Sequence, residues 1–421
     1  MLLFEQRRDE QRLAVGPDGT TSQLPPSGAR PLKFLSMTPS PPPERSLVQA
    51  CRHLLDVEAV RTVDDGESFR LTPLGFHLSK LPMDAKVGKL LIVGCILGCL
   101  DNALTIAAAL SCTRSCFLSN FHGLDPSFVE ARDLLIENGF GGKDWSGGTV
   151  KGDLIAVISV YRAWSARQRS ARGKFARDHA LDNNALRDME TLRRQFGDLL
   201  TESGLISDTR VTTQYDGRGS EEGSNCSNNL AVDDALLTSC SLVAGLYPNI
   251  ATLVRPKRPR QGGRLLTSDS SDLCRPSSSS FQRRRVQQAS DSGRDAYAVY
   301  HAKHRSVGAV SPGRDQRQQE AFLSEVNFVS KFALILFGGK VRLVKNAIVV
   351  DDWLKFKVFD NDDGEKEKTN AIILIALRKL LDDVIVEHIV ETFATAEEKS
   401  RMTQRHGKII GVVRRILAEE G

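Results

Sequence analysis

The sequence predicts a multi-domain α+β chain: a helix with a β-hairpin, then an all-helical domain, then a small β-barrel with C-terminal helices. Three observations carry this. From Phe69 to Leu118 a turn-rich LTPLG and a Leu81-Pro82 break lead into two consecutive apolar, helix-like segments. From Asp153 to Leu200 apolar residues recur at helical spacing. Beyond Ala296 they come in short runs closed by glycine turns, as strands do.

Residues 1–43 read as an irregular leader, because Pro25-Pro26, Pro31 and the Pro39-Ser40-Pro41-Pro42-Pro43 run forbid long regular elements. In 44–83, Ser46 is placed to cap a helix on Leu47, Cys51, Leu54 and Leu55 that extends to about Val60. Val63 to Phe69 then reads as a hairpin turning at Asp65-Gly66. Helix followed by tight hairpin is the ending of a winged-helix module. Residues 84–206 form the helical domain: two helices between Asp84 and Leu118, then Glu130 to Asn138, Asp153 to Ala166, and Asn183 to Leu200.

Residues 207–231 are polar and without period, and read as a disordered insertion. In 232–360 a helix from Val232 to Ala244 precedes a second low-complexity stretch, 256–291. The predicted strands are Ala296 to Tyr300, Phe322 to Phe328, Phe332 to Phe337, Val341 to Val350 and Trp353 to Val358, which suit an OB-like barrel. In the last strand Trp353, Lys355 and Lys357 share a face, an aromatic-plus-lysine surface suited to single-stranded nucleic acid. Residues 361–421 close the chain with a turn at Asn361 to Gly364 and two helices.

Composition narrows the function classes. The chain has 421 residues, is 41% hydrophobic and carries a net charge of +5, enough apolar mass for a buried core. The positive charge is clustered: Arg162, Arg167, Arg169, Arg172, Lys174 and Arg177, then Arg255 to Arg264, then Arg283 to Arg285. Such clusters suit a polyanion. Met1 to Phe4 runs straight into charged residues, and the Leu90 to Leu100 run is about half of the roughly 20 residues a membrane helix needs, so no membrane association is expected. Of the 8 cysteines, Cys95/Cys99 and Cys112/Cys116 superficially suggest a metal site, but at i, i+4 among Ile, Leu, Gly and Ala they read as small buried hydrophobes. No metal is expected. The expected location is the cytoplasm, with the nucleus as the alternative.

Specific runs resemble a family. PLKFLSMTPSPPPERSLVQACRHLLDVEAV is similar to the winged-helix entry of the DEAH/RHA-type (DExH-box) ATP-dependent RNA helicases. LTPLGFHLSKLPMDAKVGKLLIVGCILGCLDNALTIAAALS resembles their junction into the helicase-associated, or ratchet, domain. GDLIAVISVYRAW and FARDHALDNNALRDMETLRRQF resemble later ratchet helices, and AGLYPNIA and SKFALILFGG the OB-fold region. The departures are equally specific. No G-x-x-x-x-G-K-[ST] loop and no D-E-x-H box is present, so the RecA-like motor is missing and no catalytic residue is assigned. By the resemblance, ATP and Mg²⁺ belong to that motor, and the chain alone is expected not to hydrolyse ATP.

The resemblance implies that the chain holds single-stranded or structured RNA without sequence specificity and couples it to a motor, with a motor domain or activator protein docking at the OB-fold. Carried over by position, the RNA-contact candidates are His304, Arg305, Ser306, Tyr247, Asn249 and Lys340. Lys355 and Lys357 join them from the strand pattern. The alternative is a non-catalytic protein-interaction scaffold derived from the same fold.

Overall fold

The computed structural model describes residues 31–62, 68–118, 125–139, 152–206, 232–254, 263–268, 273–283, 285–287, 295–305, 320–344, 346–357, 365–391 and 396–418. The leader up to residue 30, the Asp65-Gly66 turn, the insertion at 207–231 and the Asn361 to Gly364 turn lie outside them.

Helices α1 (Pro31–Ser36) and α2 (Glu44–Asp56) lead to a two-stranded hairpin, β1 (Val60–Thr62) against β2 (Phe69–Leu71), with Thr62 opposite Phe69. The α2 cap differs from expectation. Pro43 occupies the N-cap with no side-chain bond, because the proline's fixed φ already directs the chain into the helix two residues before Ser46. The LTPLG run becomes α3 (Pro73–Leu78): the Thr72 hydroxyl accepts from Gly75 N at 2.9 Å and donates to Glu58 O at 2.7 Å. Gly75 sits so close to the Ala59 carbonyl that any Cβ would overlap it, which explains the glycine.

Asp84 caps α4 (Ala85–Ile96), accepting from Lys86 N at 2.9 Å. Gly98, at φ +76°, turns the chain into α5 (Leu100–Ser111). Asp125 caps α6 (Pro126–Asn138), four residues ahead of the predicted start. The centre is α7 (Asp153–Ser165), where Leu154, Ile158 and Trp164 are fully buried. Helix α8 (Arg169–Asp178) was not anticipated, since its few apolar residues leave no period to read. Asp182 caps α9 (Asn183–Glu202). Helix α10 (Val232–Leu246), grouped by sequence with the barrel, packs along α4, with Gly245 against the Leu90 backbone. Cys99 and Cys116 are buried in the apolar core and Cys95 packs against it; burial pushes the Cys95 thiol up to about 11 and that of Cys116 to about 12.

The strands depart further from expectation. The seven strands β3 (Ile250–Val254), β4 (Arg264–Thr267), β5 (Leu273–Pro276), β6 (Tyr297–Val299), β7 (Ala302–Arg305), β8 (Ala321–Ser324) and β9 (Asn327–Val329) form one sheet. Its order is β7-β8-β5-β4-β3-β6-β9, antiparallel except for β5 beside β8. Its end strands do not pair with each other, so the described residues make an open sheet and not a closed barrel. Strands β4 and β5 lie inside the stretch read as low complexity, held by alternate burial of Leu265, Thr267 and Cys274 amid a background of Arg and Ser that hid them.

Phe322 to Phe328 is broken into β8 and β9 at Glu325, whose φ is +47°. Phe332 to Phe337 is a helix, α11 (Lys331–Phe337), capped by the Ser330 hydroxyl accepting from Ala333 N at 3.0 Å. Its FALILF run is almost wholly buried, and an unbroken apolar run carries no period to separate helix from strand. Val341 to Val350 folds back on itself as β10 (Val341–Val344) and β11 (Ala347–Val350), and β12 (Leu354–Lys357) completes a three-stranded sheet. Helices α12 (Glu365–Glu391) and α13 (Ala396–Ala418) pack on each other, with α12 also against α3 and α11, and His77 Nε2–H donates to Ile389 O at 3.1 Å.

Helices and large sheet meet at Asp153. Its carboxylate accepts from Phe281 N at 3.0 Å and Val326 N at 2.9 Å, while Asn327 Oδ1 accepts from Leu154 N at 3.0 Å.

Candidate nucleic-acid interface

The predicted contact residues fall into three groups. Tyr247, Asn249 and Lys340 come together where α10 ends. Gly339 stands so close to the Tyr247 hydroxyl and the Asp351 carboxylate that a Cβ there would overlap both. Lys340 and Asp351 are bound reciprocally: Lys340 N donates to Asp351 Oδ1 at 2.8 Å, and Asp351 N to Lys340 O at 2.9 Å. The Lys340 side chain is exposed. Asn249 is a clamp, its Nδ2 donating to His301 O at 2.8 Å and its Oδ1 accepting from Lys86 Nζ at 3.1 Å. Burial lowers the Lys86 ammonium pKa, opposed by Asp84 and Asp56, and raises that of the Asp351 carboxyl, opposed by the Lys340 amide and Arg378. Sequence reasoning missed Lys86 and Asp351. Lys86 lies 163 residues from Asn249, and no local pattern announces such a pair.

His304 and Arg305 form the second group, exposed at the end of β7, which is an edge strand of the large sheet. His304 pairs with Phe322 and Arg305 with Ala321, while neighbouring Lys303 donates to Thr267 Oγ1 at 3.1 Å. Ser306 lies outside the described residues. The Asn249–His301 bond ties the turn before β7 to the first group.

Lys355 and Lys357 form the third, on β12, an edge strand of the smaller sheet. They alternate with buried Leu354 and Phe356, and the Phe356 ring packs on Tyr297 of the large sheet at 5.1 Å between centroids. Trp353 does not share their face as predicted. It is half-buried, packed against the core, because the turn at Asp351 and Asp352 (φ +46° and +65°) precedes the strand. The surface is therefore two lysines without an aromatic.

The basic clusters also divide. Arg172 is buried, 3.0 Å from Glu190, with its guanidinium 4.4 Å over the Trp164 ring, and Arg162 is 3.2 Å from Asp101. Both serve the fold. Arg255 to Arg260 lie outside the described residues, and burial lowers the Arg285 guanidinium pKa.

Residues 84–201, which hold α4 to α8 and nearly all of α9, match the helicase associated domain (HA2), ratchet-like. The chain is 29% identical over 330 residues to the RNA helicase DHX57 of Mus musculus, covering 75% of this chain and 22% of that protein. It is 25% identical over 365 residues to the ATP-dependent DNA/RNA helicase DHX36 of Homo sapiens, covering 85% and 31%. It is also 24% identical over 398 residues to the ATP-dependent RNA helicase DHX29 of Homo sapiens, covering 93% and 25%. The chain is homologous to the DExH-box RNA helicases over much of its length. It spans less than a third of these curated relatives. The helicase-associated domain is the helical body built on α7, and the Asp153 junction and α10 join it to the strands that carry the candidate residues. Among the described residues no helix is long and apolar enough to cross a membrane.

Proposed function

We propose that this chain is the RNA-binding, regulatory C-terminal portion of a DExH-box RNA helicase, holding single-stranded RNA by its backbone and coupling it to a motor outside these residues. Homology over much of the chain, with the helicase-associated domain at its centre, carries the reading. In this reading the α2–β1–β2 unit is the winged helix and the seven-stranded sheet an opened OB-fold. ATP and Mg²⁺ act at the motor, and the setting is cytoplasmic. Lys340, His304, Arg305, Lys355 and Lys357 are exposed in a turn and on two edge strands, where cations can follow a phosphate chain. Tyr247 and Asn249 set the geometry beneath them.

The test is fluorescence-anisotropy binding of labelled single-stranded RNAs of different sequence to the whole chain across a salt series. Similar affinities for all, weakening steeply with salt, are expected, with a loss of about tenfold for the Lys340→Glu, Lys355→Glu, Lys357→Glu triple variant. A folded protein that binds no RNA at low salt would sink the reading. Protein partners held after RNase treatment by such a protein would then favour the scaffold.

A further inference from the structure

We propose that Ser40, on the exposed connection between α1 and α2, is a phosphorylation site for a proline-directed serine/threonine kinase. The inference is independent of RNA binding and uses none of the residues assigned to it.

A kinase of that class needs a Ser or Thr followed by proline, with a free hydroxyl on extended chain that reaches the γ-phosphate of ATP. The sequence offers the pair at Thr38-Pro39, Ser40-Pro41, Thr72-Pro73 and Ser311-Pro312. Ser311 lies outside the described residues. The structure separates the other three. Thr72 caps α3: its hydroxyl lies 2.7 Å from Glu58 O and 3.0 Å from Ala59 O, accepts from Gly75 N at 2.9 Å, and is followed by a proline that is already helical. Modifying it means opening that cap. The Thr38 hydroxyl is half-buried and donates to Leu35 O at 2.8 Å. Ser40 has neither constraint. It is exposed, and among the described residues its hydroxyl has no hydrogen-bond partner.

The backbone beyond Ser40 is the second observation. Ser40, Pro41 and Pro42 each precede a proline, which biases them away from helical torsion angles. Residues 41–43 are exposed and belong to no helix, strand or turn, and Pro43 has φ −55° and ψ 136°, close to an extended polyproline segment. The chain re-enters a helix only at Glu44. The segment is therefore extended before any kinase binds it, and little ordering is left to do.

The transfer is an exchange of one bond for another. Ser40 Oγ attacks the γ-phosphorus of ATP, and the Oγ–P bond forms as the bond from that phosphorus to the β,γ-bridging oxygen breaks. ADP leaves with that electron pair, and the hydroxyl proton passes to the kinase's catalytic carboxylate. The product carries a charge of about −1.5 to −2 at pH 7. It stands close in sequence to Phe34 and Met37, at 68% and 70% the most exposed large apolar side chains among the described residues. One modification thus sets an anion beside an apolar surface without disturbing a packed contact, since α2 buries no residue.

The experiment incubates the folded whole chain with ATP, Mg²⁺ and a purified kinase of the mitogen-activated or cyclin-dependent class, and maps phosphate by peptide mass spectrometry. Ser40 is expected to take up phosphate about tenfold or more faster than Thr38 or Thr72. Ser40→Ala should abolish that product. Pro41→Ala, which keeps the hydroxyl, should slow transfer to Ser40 about tenfold. Circular dichroism should show one fold for wild type, both variants and the phosphorylated chain. The mapping on wild type stands whether or not a variant folds. No transfer to Ser40, transfer to Thr72 at an equal rate, or transfer to Ser40 undiminished by Pro41→Ala in a folded protein would each overturn the inference.

Discussion

Arg193 holds Asp101 through two different oxygens: its guanidinium donates to the carboxylate at 2.5 Å and to the main-chain carbonyl at 2.7 Å. The same guanidinium bonds the Thr105 hydroxyl and lies 4.8 Å over the Tyr161 ring. Arg162 completes the set, 3.2 Å from the other Asp101 oxygen and 2.5 Å from Asn102 Oδ1. One carboxylate therefore fixes α5, α7 and α9 in a single register.

Removing that carboxylate leaves a buried guanidinium without its counter-charge, which costs more than the pair itself contributes. Asp101→Ala is expected to destabilise the chain by about 3–5 kcal/mol. Urea denaturation followed by circular dichroism measures this, and a loss below about 1 kcal/mol, as for an exposed pair, would show that Asp101 is not the lock.

At the junction of helices and sheet, burial pushes the Asp153 carboxyl up to about 7, against hydrogen bonds from Ser280, Val326 and Phe281 that favour the anion. A carboxyl raised on folding keeps its proton longer in the native state. Its contribution is fully present below the unfolded pKa near 4 and is lost as pH rises through 7. Stability should fall across that window with a slope of up to about 1.4 kcal/mol per pH unit from this group. Asp153→Asn keeps the shape and removes the titration, so its denaturation midpoints at pH 5, 6 and 7 should lie on a flatter line. Parallel lines for both proteins would contradict this.

How far the sequence could be read follows from where each signal resides. Helix starts at a polar residue before an apolar run were legible at Asp84 and beside Asp182, each of which accepts from an amide two residues on, whereas the start at Asp125 was missed because Ser127 and Glu130 leave little apolar signal in its first turn. Amphipathic α9 was legible for the same reason. Helix α8 was not, because only Arg172, Phe175 and Ala176 are buried in it, and an arginine that packs on Trp164 looks like a surface charge. FALILF was read as a strand because it is apolar on every side. At the candidate site the charged residues were visible but their partners were not. Asn249 meets Lys86, and Asp153 meets Val326, across 163 and 173 residues of chain.

Two glycines make opposite predictions. Gly245 packs on Leu90, where an added Cβ would overlap Leu90 Cβ and crowd its backbone, so Gly245→Ala should force α10 away from α4 and cost about 1–3 kcal/mol. Gly411 lies in α13 with no atom within 4 Å of such a Cβ. There alanine should add about 0.5–1 kcal/mol by its better helix propensity. Differential scanning calorimetry of the two variants decides it, and a shift of the same sign in both would refute the packing argument.

The C-terminal helix pair should loosen in acid. His388 on α12 faces His406 on α13, with ring centroids 5.9 Å apart, and His77 on α3 also lies close enough to act on it. Glu387 on α12 accepts from Arg405 at 2.9 Å and from His406 Nε2 at 3.3 Å, joining the two helices beside this contact. Burial first, then His406 and His77, lower the His388 pKa to about 4. A histidine depressed on folding contributes stability that is present above its unfolded value near 6.5 and is lost as pH falls towards 4. Between pH 7 and pH 5, hydrogen exchange of α12 and α13 amides, corrected for intrinsic rates, should therefore accelerate relative to α4 and α7. His388→Gln should remove much of that difference. If α4 and α7 open in step with α13 at every pH, the helix pair is not a separately titrating unit and the histidine contact does not govern it.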